Sequence, residues 1–238
     1  MSNGPVLFTR PRHDITTRYL YFWNQKAIDL AAKIIYSPTE TDVLTIWKRI
    51  IFFFRKVRFS VINFFTHEVI DLKANTANRL EFAHQLDDYK PKLIFLNGHG
   101  NANTVTGDQN LPLVDKFNVQ ILTGSIVYAF SCQSAKNLGP LAVSKGVNAY
   151  LGYDEDFVFL IDEKSKPEQD QTAKNFLNPA MQITYSLING KTPTSAHQDS
   201  QDAYNAIISN LSTSETSAED RQMLPYLVWN RDHQVCLE

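Results

Sequence analysis

The chain has 238 residues, of which 43% are hydrophobic and 20% are charged, and its formal net charge is −2. This length and composition are typical of a globular protein with one large domain or two small ones. The near-neutral charge provides no overall field that would attract nucleic acid or an acidic membrane, so nucleic acid is not an expected partner.

Cysteine is scarce, and the chain contains only Cys132 and Cys236. Two cysteines do not make a disulfide framework, which favours a reducing compartment and leads us to expect a cytoplasmic protein. A secreted protein with one bridge is the alternative. The first residues, MSNGPVLFTRPRHD, lack a basic start followed by a long apolar run, so no signal peptide is predicted.

Apolar runs and helical patterns alternate along most of the chain. PVLFTR near the start predicts a strand, and residues 14–36 predict an amphipathic helix. Further strands are predicted at EVIDL, KLIFLN, SIVYAFS, VNAYLGY and YLVWNRD, and further helices at residues 75–89, 134–145, 172–189 and 194–211. GNANTVTGDQN predicts turns, and DEKSKPEQDQT predicts a polar surface loop.

This alternation predicts an α/β protein with a mostly parallel sheet and helices on both faces. No segment has the composition of a linker, so residues 1–238 are predicted to form a single domain.

Residues 43–65, VLTIWKRIIFFFRKVRFSVINFF, combine aromatic and basic side chains. Each basic residue at a bilayer centre costs about 2.5–3.5 kcal/mol, so a membrane-spanning helix is not expected. The first alternative is a helix packed on the body of the protein, with its basic ends reaching solvent. The second is a helix that docks an activating protein partner or lies on a membrane surface.

Two of the predicted strands end at reactive side chains. KLIFLN is followed by Gly98-His99-Gly100, and SIVYAF is followed by Ser131-Cys132. Ligands of open parallel sheets bind at the carboxyl ends of the strands, so neighbouring strands would bring the imidazole and the thiol together. An imidazole can deprotonate a thiol nucleophile, and the amides of Gly100 and Cys132 can bind an oxyanion. The alternatives are a buried small hydrophobe and a structural histidine.

A strand ending in His-Gly and a second strand ending in a small residue and Cys resemble the caspase-like clan of cysteine peptidases. This clan includes caspases, metacaspases, separase, legumain, gingipains and the bacterial CHAT peptidases. FSCQSAKNLGPLAVSKGVNAYLGYDEDF is similar to CHAT and gingipain-type sequences, and RPRHD after the first strand also fits. The resemblance covers residues 5–159. It implies a caspase-like three-layer sandwich, in which residues 37–67 are a helical insertion.

The resemblance implies a cysteine endopeptidase that cleaves a protein substrate without a cofactor. Cys132 would be the nucleophile, His99 the general base, and the amides of Gly100 and Cys132 the oxyanion hole. His99 precedes Cys132 by 33 residues, fewer than the about 50 of caspases, and no QACxG motif surrounds Cys132, so aspartate specificity is not expected. Two alternatives stay open. One is an inactive caspase-like module that docks a partner through the aromatic basic helix, and the other is a small-molecule amidase or acyltransferase.

Acidic residues near the expected site predict the specificity. In the clan an acidic pocket selects Arg or Lys, and the candidates here are Asp14, Asp154 and Asp156. Cleavage after Arg or Lys is therefore expected. The alternative for Asp14 is a helix cap, and for the other two a solvated turn.

No metal site is predicted, because His13, His84, His197 and His233 are scattered and lack the short paired spacing of zinc ligands. Cys236 is interpreted as a packing residue.

Overall fold

The computed structural model describes residues 4–34 and 69–238. The insertion predicted at 37–67 and the aromatic basic helix predicted at 43–65 lie outside the described residues. In chain order the strands are β1 (Val6–Arg10), β2 (Val69–Lys73), β3 (Leu93–Asn97), β4 (Gly100–Asn101), β5 (Thr104–Thr106), β6 (Pro112–Asp115), β7 (Ile126–Phe130), β8 (Ala149–Tyr153) and β9 (Gln234–Leu237). The helices are α1 (Ile15–Ile34), α2 (Arg79–Tyr89), α3 (Leu138–Ser144), α4 (Gln171–Ile188), α5 (Pro193–Leu211), α6 (Ala218–Arg221) and α7 (Leu224–Asp232).

A six-stranded sheet forms the centre of the molecule, in the order β2-β1-β3-β7-β8-β9. Its pairs are parallel apart from β8 with β9, which is antiparallel. All five residues of β1 and of β8 are buried, as continuous apolar runs require when a sheet is covered on both faces.

Helices cover both faces of this sheet. One face packs against α1, α4 and α5 through a cluster that includes Trp23, Phe176 and Tyr204. The other face packs against α2 and α3 through a cluster that includes Phe82 and Leu138. Burial of each such side chain contributes about 1.5–3 kcal/mol. The predicted three-layer α/β architecture with a mostly parallel sheet is confirmed.

Two local predictions were wrong. GNANTVTGDQN, predicted as turns, contains β4 and β5, which form a small antiparallel sheet with β6. These strands have two and three residues, too few for an alternating pattern to show in the sequence. YLVWNRD, predicted as a strand, belongs to the helix α7, and the last strand is β9, which contains Cys236. Helix α3 also begins later than predicted, at Leu138.

In residues 4–34 and 69–238, no helix combines the length and the apolar character needed to cross a membrane.

A buried ion pair fixes β1 against β2. The side chain of Arg10 is 1% exposed, and its guanidinium donates to both carboxylate oxygens of Asp71 and to the carbonyl of Tyr21. Asp71→Asn would leave the buried guanidinium without its counter-charge, so we expect the free energy of unfolding to fall by about 3–5 kcal/mol. Urea denaturation measures this change. Asp29→Asn is the control, since Asp29 is exposed, and a similar loss in both variants would contradict the prediction.

Candidate active site

The central sheet brings His99 and Cys132 to one edge. Strands β3 and β7 are parallel neighbours, and their last register pair is Asn97 with Phe130. His99 and Cys132 each lie two residues beyond that pair. Neighbouring strands are about 4.7–4.9 Å apart, so the two residues leave the sheet side by side at its carboxyl edge. The condition on which the sequence argument depended, that these two strands are neighbours, is met.

Gly100 lies closely against the turn that carries Cys132. A Cβ atom at Gly100 would be 3.1 Å from the carbonyl oxygen of Cys132 and 2.8 Å from that of Thr104, and it would overlap the hydroxyl of Ser131. Among the described residues, this Ser131 hydroxyl is buried and has no hydrogen-bond partner. A residue without a side chain is therefore required at position 100.

The amide of Gly100 is directed away from the small sheet. The carbonyl of His99 accepts a hydrogen bond from the amide of Thr106 at 2.8 Å, which makes these two residues a hydrogen-bonded pair of the antiparallel ladder. Such pairs alternate with pairs whose amides point outward. Gly100, opposite Val105, belongs to the second kind, so its N–H is free to donate to a substrate oxygen.

Asp14 contacts the imidazole of His99. Its Oδ2 is 2.7 Å from His99 Nε2, and its Oδ1 accepts from the amide and the hydroxyl of Thr17, each at 2.8 Å. Burial raises the pKa of Asp14, but the hydrogen bonds from Thr17 and His99 outweigh it and hold the pKa below its usual value of 3.8. Asp14 is therefore ionised at neutral pH. It caps the first turn of α1, as one alternative anticipated, and it also holds His99.

His13 lies on the other side of the Asp14 carboxylate. Its Nε2 is 3.4 Å from Asp14 Oδ2, and its ring centroid is 6.2 Å from that of His99. Its Nδ1 accepts a hydrogen bond from the amide of Gln109 at 3.2 Å. Ligand atoms of His13, Asp14 and His99 all lie within 4.8 Å of one another, so these three residues could hold a metal ion. From the sequence, His13 was set aside as a metal ligand because the histidines are scattered along the chain, and the fold brings it beside His99.

The thiol of Cys132 contacts the loop after β8. Its Sγ contacts the carbonyl oxygen of Phe157 at 3.9 Å, and in the part of the chain that the structure describes no hydrogen bond joins it to the imidazole. Burial raises the pKa of Cys132, and the negative charge of Asp156 raises it further. The thiol is therefore neutral at rest, and its deprotonation needs a base.

The turn after Cys132 is held in an unusual conformation. Gln133 has a φ of 54°, in the left-handed region that costs a non-glycine residue about 1–3 kcal/mol. Its amide donates to the carbonyl of Glu155 at 3.0 Å, and its side-chain amide donates to Asp156 at 2.9 Å. The loop after β8 therefore lies against the Cys132 turn and fixes it.

The structure separates two of the predicted pocket residues. Asp156 lies beside the Cys132 turn through its contact with Gln133. Asp154 instead pairs with His233, with 2.8 Å between Oδ1 and Nδ1. Two of the three acidic candidates therefore have histidine partners, since Asp14 bonds His99 and Asp154 bonds His233. The third candidate, Asp156, lies beside Cys132.

A scan against protein-family models and a search of curated proteins both return no match to this chain. The activity of the site is therefore argued from its own geometry.

Proposed function

We propose that this chain is a cysteine endopeptidase of the caspase-like type, in which Cys132 attacks a peptide carbonyl and His99 is the general base. The observation that carries the proposal is the equivalent position of the two residues, each two residues beyond the last pair of adjacent parallel strands. Asp14 adds a third group. Since its ionised carboxylate accepts from Nε2–H of His99, the lone pair of Nδ1 is left to accept a proton.

The residues support the following sequence of steps. Cys132 Sγ forms a bond to the substrate carbonyl carbon while its proton moves to His99 Nδ1, and Asp14 stabilises the resulting imidazolium. The C–N bond then breaks, the imidazolium protonates the leaving amine, and a thioester remains. Water, deprotonated by His99, hydrolyses the thioester and regenerates the thiol. The amides of Gly100 and Cys132 bind the oxyanion, and each such donor contributes about 100- to 1000-fold.

The inactive binding module is a second candidate, favoured by one observation. The neutral thiol of Cys132 faces Phe157 and makes no hydrogen bond to His99 within the described residues. Hydrogen bonds of a catalytic pair are often formed only with substrate bound, so the enzyme remains the proposal.

Covalent labelling separates the two candidates. A peptide that carries an acyloxymethyl ketone after Arg is expected to modify Cys132, because the substrate-like part aligns the thiol and the base. Peptide mass spectrometry identifies the modified residue. Cys236→Ser should be labelled as fast as the wild type, while His99→Ala should be labelled at least about 100-fold more slowly. Labelling at Cys236 alone, or none at all, would leave only the binding module.

Asp156 is proposed to set a preference for Arg or Lys, since it is the acidic candidate beside Cys132. We expect Asp156→Asn to lower kcat/KM for Arg peptides about two- to fivefold, because the exposed carboxylate loses its ion pair with the substrate, and to leave Leu peptides unaffected. Asp154→Asn is the matched control, since that carboxylate pairs with His233. A wild-type preference for Asp peptides would contradict this assignment.

Gly100→Ala tests the oxyanion site. The added methyl group would overlap the hydroxyl of Ser131 and press on the carbonyl of Thr104, so the amide at position 100 must move. We expect kcat/KM to fall about 100-fold or more, since the oxyanion loses a donor. Thermal melting shows whether the variant is folded. A folded variant with full activity would exclude Gly100 from the oxyanion hole.

We also propose a reducing, cytoplasmic location and a protein substrate. A thiol nucleophile must stay reduced, and both Cys132 and Cys236 are free. An activating partner or membrane surface at residues 43–65 stays a proposal from the sequence.

A further inference from the structure

We propose that His13, Asp14 and His99 bind a divalent zinc ion, and that zinc at this position switches off the peptidase. Zinc binding needs these three side chains as ligands and does not depend on peptidase activity. The inhibitory effect rests on the proposed function, because it requires His99 to be the base.

One of the ligand-atom separations is at zinc spacing and a second is shorter, and all three ligand atoms lie within 4.8 Å of one another. In a tetrahedral site with bonds of about 2.0–2.1 Å, neighbouring ligand atoms are about 3.3 Å apart. His13 Nε2 lies 3.4 Å from Asp14 Oδ2, which matches this separation. His99 Nε2 lies 2.7 Å from the same oxygen, so this pair has to open by roughly 0.6 Å when an ion replaces the hydrogen bond.

His13 is buried without a partner for its inner nitrogen. Its side chain is 9% exposed, and within residues 4–34 and 69–238 its Nε2 has no hydrogen-bond partner. A buried polar atom without a partner is unfavourable, and a metal bond would satisfy it. The bonds from Thr17 to the other oxygen, Oδ1, orient the Asp14 carboxylate, so Oδ2 already faces both imidazoles before the ion arrives.

A carboxylate supports the tautomer that zinc requires. When Nε2 of His13 binds a metal, its Nδ1 carries the proton, so the hydrogen bond that Nδ1 accepts from the amide of Gln109 has to be replaced by one that Nδ1–H donates to another acceptor. Asp108 Oδ1 lies 3.7 Å from Nδ1, and its side chain is only 17% exposed. Histidine ligands of metals almost always donate their second nitrogen to such a carboxylate or to a carbonyl. The charges of Asp14 and Asp108 together balance the two charges of the ion.

The ligand chemistry favours zinc and other transition metals over calcium and magnesium. Two imidazole nitrogens and one carboxylate oxygen match zinc sites that keep a fourth position for water. Calcium and magnesium prefer oxygen ligands and would leave the imidazoles unused.

Zinc at this site would remove the base without touching the nucleophile. His99 can bind the ion only after Nε2 loses its proton, which leaves the proton on Nδ1. That nitrogen is the atom that has to accept the proton of Cys132, so the metal-bound imidazole has no lone pair for it. Asp14 is at the same time withdrawn from the imidazole.

Binding is tested on the full chain carrying Cys132→Ala, which excludes the thiol as a ligand. Titration calorimetry with zinc chloride, in a buffer without chelator, should give one ion per chain. His13→Asn removes Nε2 but keeps an acceptor for the amide of Gln109, and it should raise Kd at least about tenfold. His84→Gln, at an exposed histidine that pairs with Asp88, should leave Kd unchanged. Cobalt(II) should show d–d absorption without a thiolate charge-transfer band.

Equal Kd values for His13→Asn and its parent would overturn the site, as would binding that disappears with Cys132→Ala. If His13→Asn does not fold, Asp108→Asn takes its place, and wild-type affinity in that variant would count against the site. Wild-type peptide cleavage should be inhibited by zinc and restored by a chelator, and His13→Asn should need at least about tenfold more zinc. Zinc that binds without inhibiting overturns the inhibitory effect. A chain that cleaves nothing overturns the proposed function, while calorimetry still decides the site.

Discussion

Cys132→Ala will abolish peptide cleavage and leave the fold intact. The substitution removes the sulfur atom that forms the thioester, so the acyl-enzyme cannot form. Because only one sulfur atom of a half-buried side chain is lost, the free energy of unfolding should change by less than about 1 kcal/mol. Hydrolysis of a fluorogenic Arg peptide and urea denaturation measure the two effects.

Cys236→Ala is the matched control for this result. Cys236 is the other free thiol, and it lies in β9 opposite Leu151, where it packs against the core. We expect this variant to retain full activity. If Cys132→Ala kept more than about one hundredth of wild-type turnover, a contaminating peptidase having been excluded, Cys132 would not be the nucleophile.

The position of the His99 and Cys132 pair could be predicted because it depends on strand order alone. Apolar runs without alternation indicate strands buried on both faces, and parallel strands bring their carboxyl ends to one edge. Two side chains that follow neighbouring strands by the same number of residues therefore lie close together at that edge. The conformation of the connecting loops does not affect this. The register of β3 with β7 has this property.

The partner of His99 could not be predicted, because it depends on how α1 leaves β1. Asp14 and His99 are 85 positions apart, and their contact requires the first turn of α1 to direct its capping carboxylate across the edge of the sheet. From the sequence, Asp14 was predicted to be either a residue of the specificity pocket or a helix cap. The position of His13 beside His99 could not be predicted for a similar reason. Its contact with the amide of Gln109 depends on a short turn with positive φ.

The wrong strand at residues 226–232 shows how tertiary contacts decide a short apolar run. YLVWNRD has no clear period, and periodicity alone cannot distinguish a short strand from a buried helical segment. In the helix, Asn230 is buried and its side-chain amide bonds both the N–H and the carbonyl of Val158. The same helix directs Trp229 to the carbonyl of Asp156. These hydrogen bonds pair backbone groups of the loop beside Cys132. The local sequence does not predict them, because their partners are far apart along the chain.

A double-mutant cycle on His99 and Asp14 has the second large effect. His99→Ala should lower kcat/KM about 100- to 10,000-fold, because the thiol loses its base. Asp14→Asn should cost about 100-fold or more, because an amide does not hold the Nε2–H tautomer or stabilise the imidazolium. The double variant should be no slower than His99→Ala alone, since Asp14 acts only through the imidazole.

The cycle also decides between two roles for Asp14. A carboxylate that bound the substrate's basic side chain would contribute whether or not His99 were present, so its loss would multiply with that of His99→Ala. It would also affect Arg peptides more than Leu peptides. A positioning role predicts the same loss for both peptides, because the imidazole serves every substrate alike. If the losses of kcat/KM multiply and occur only with Arg peptides, Asp14 is a residue of the specificity pocket. It would then not be the residue that orients His99.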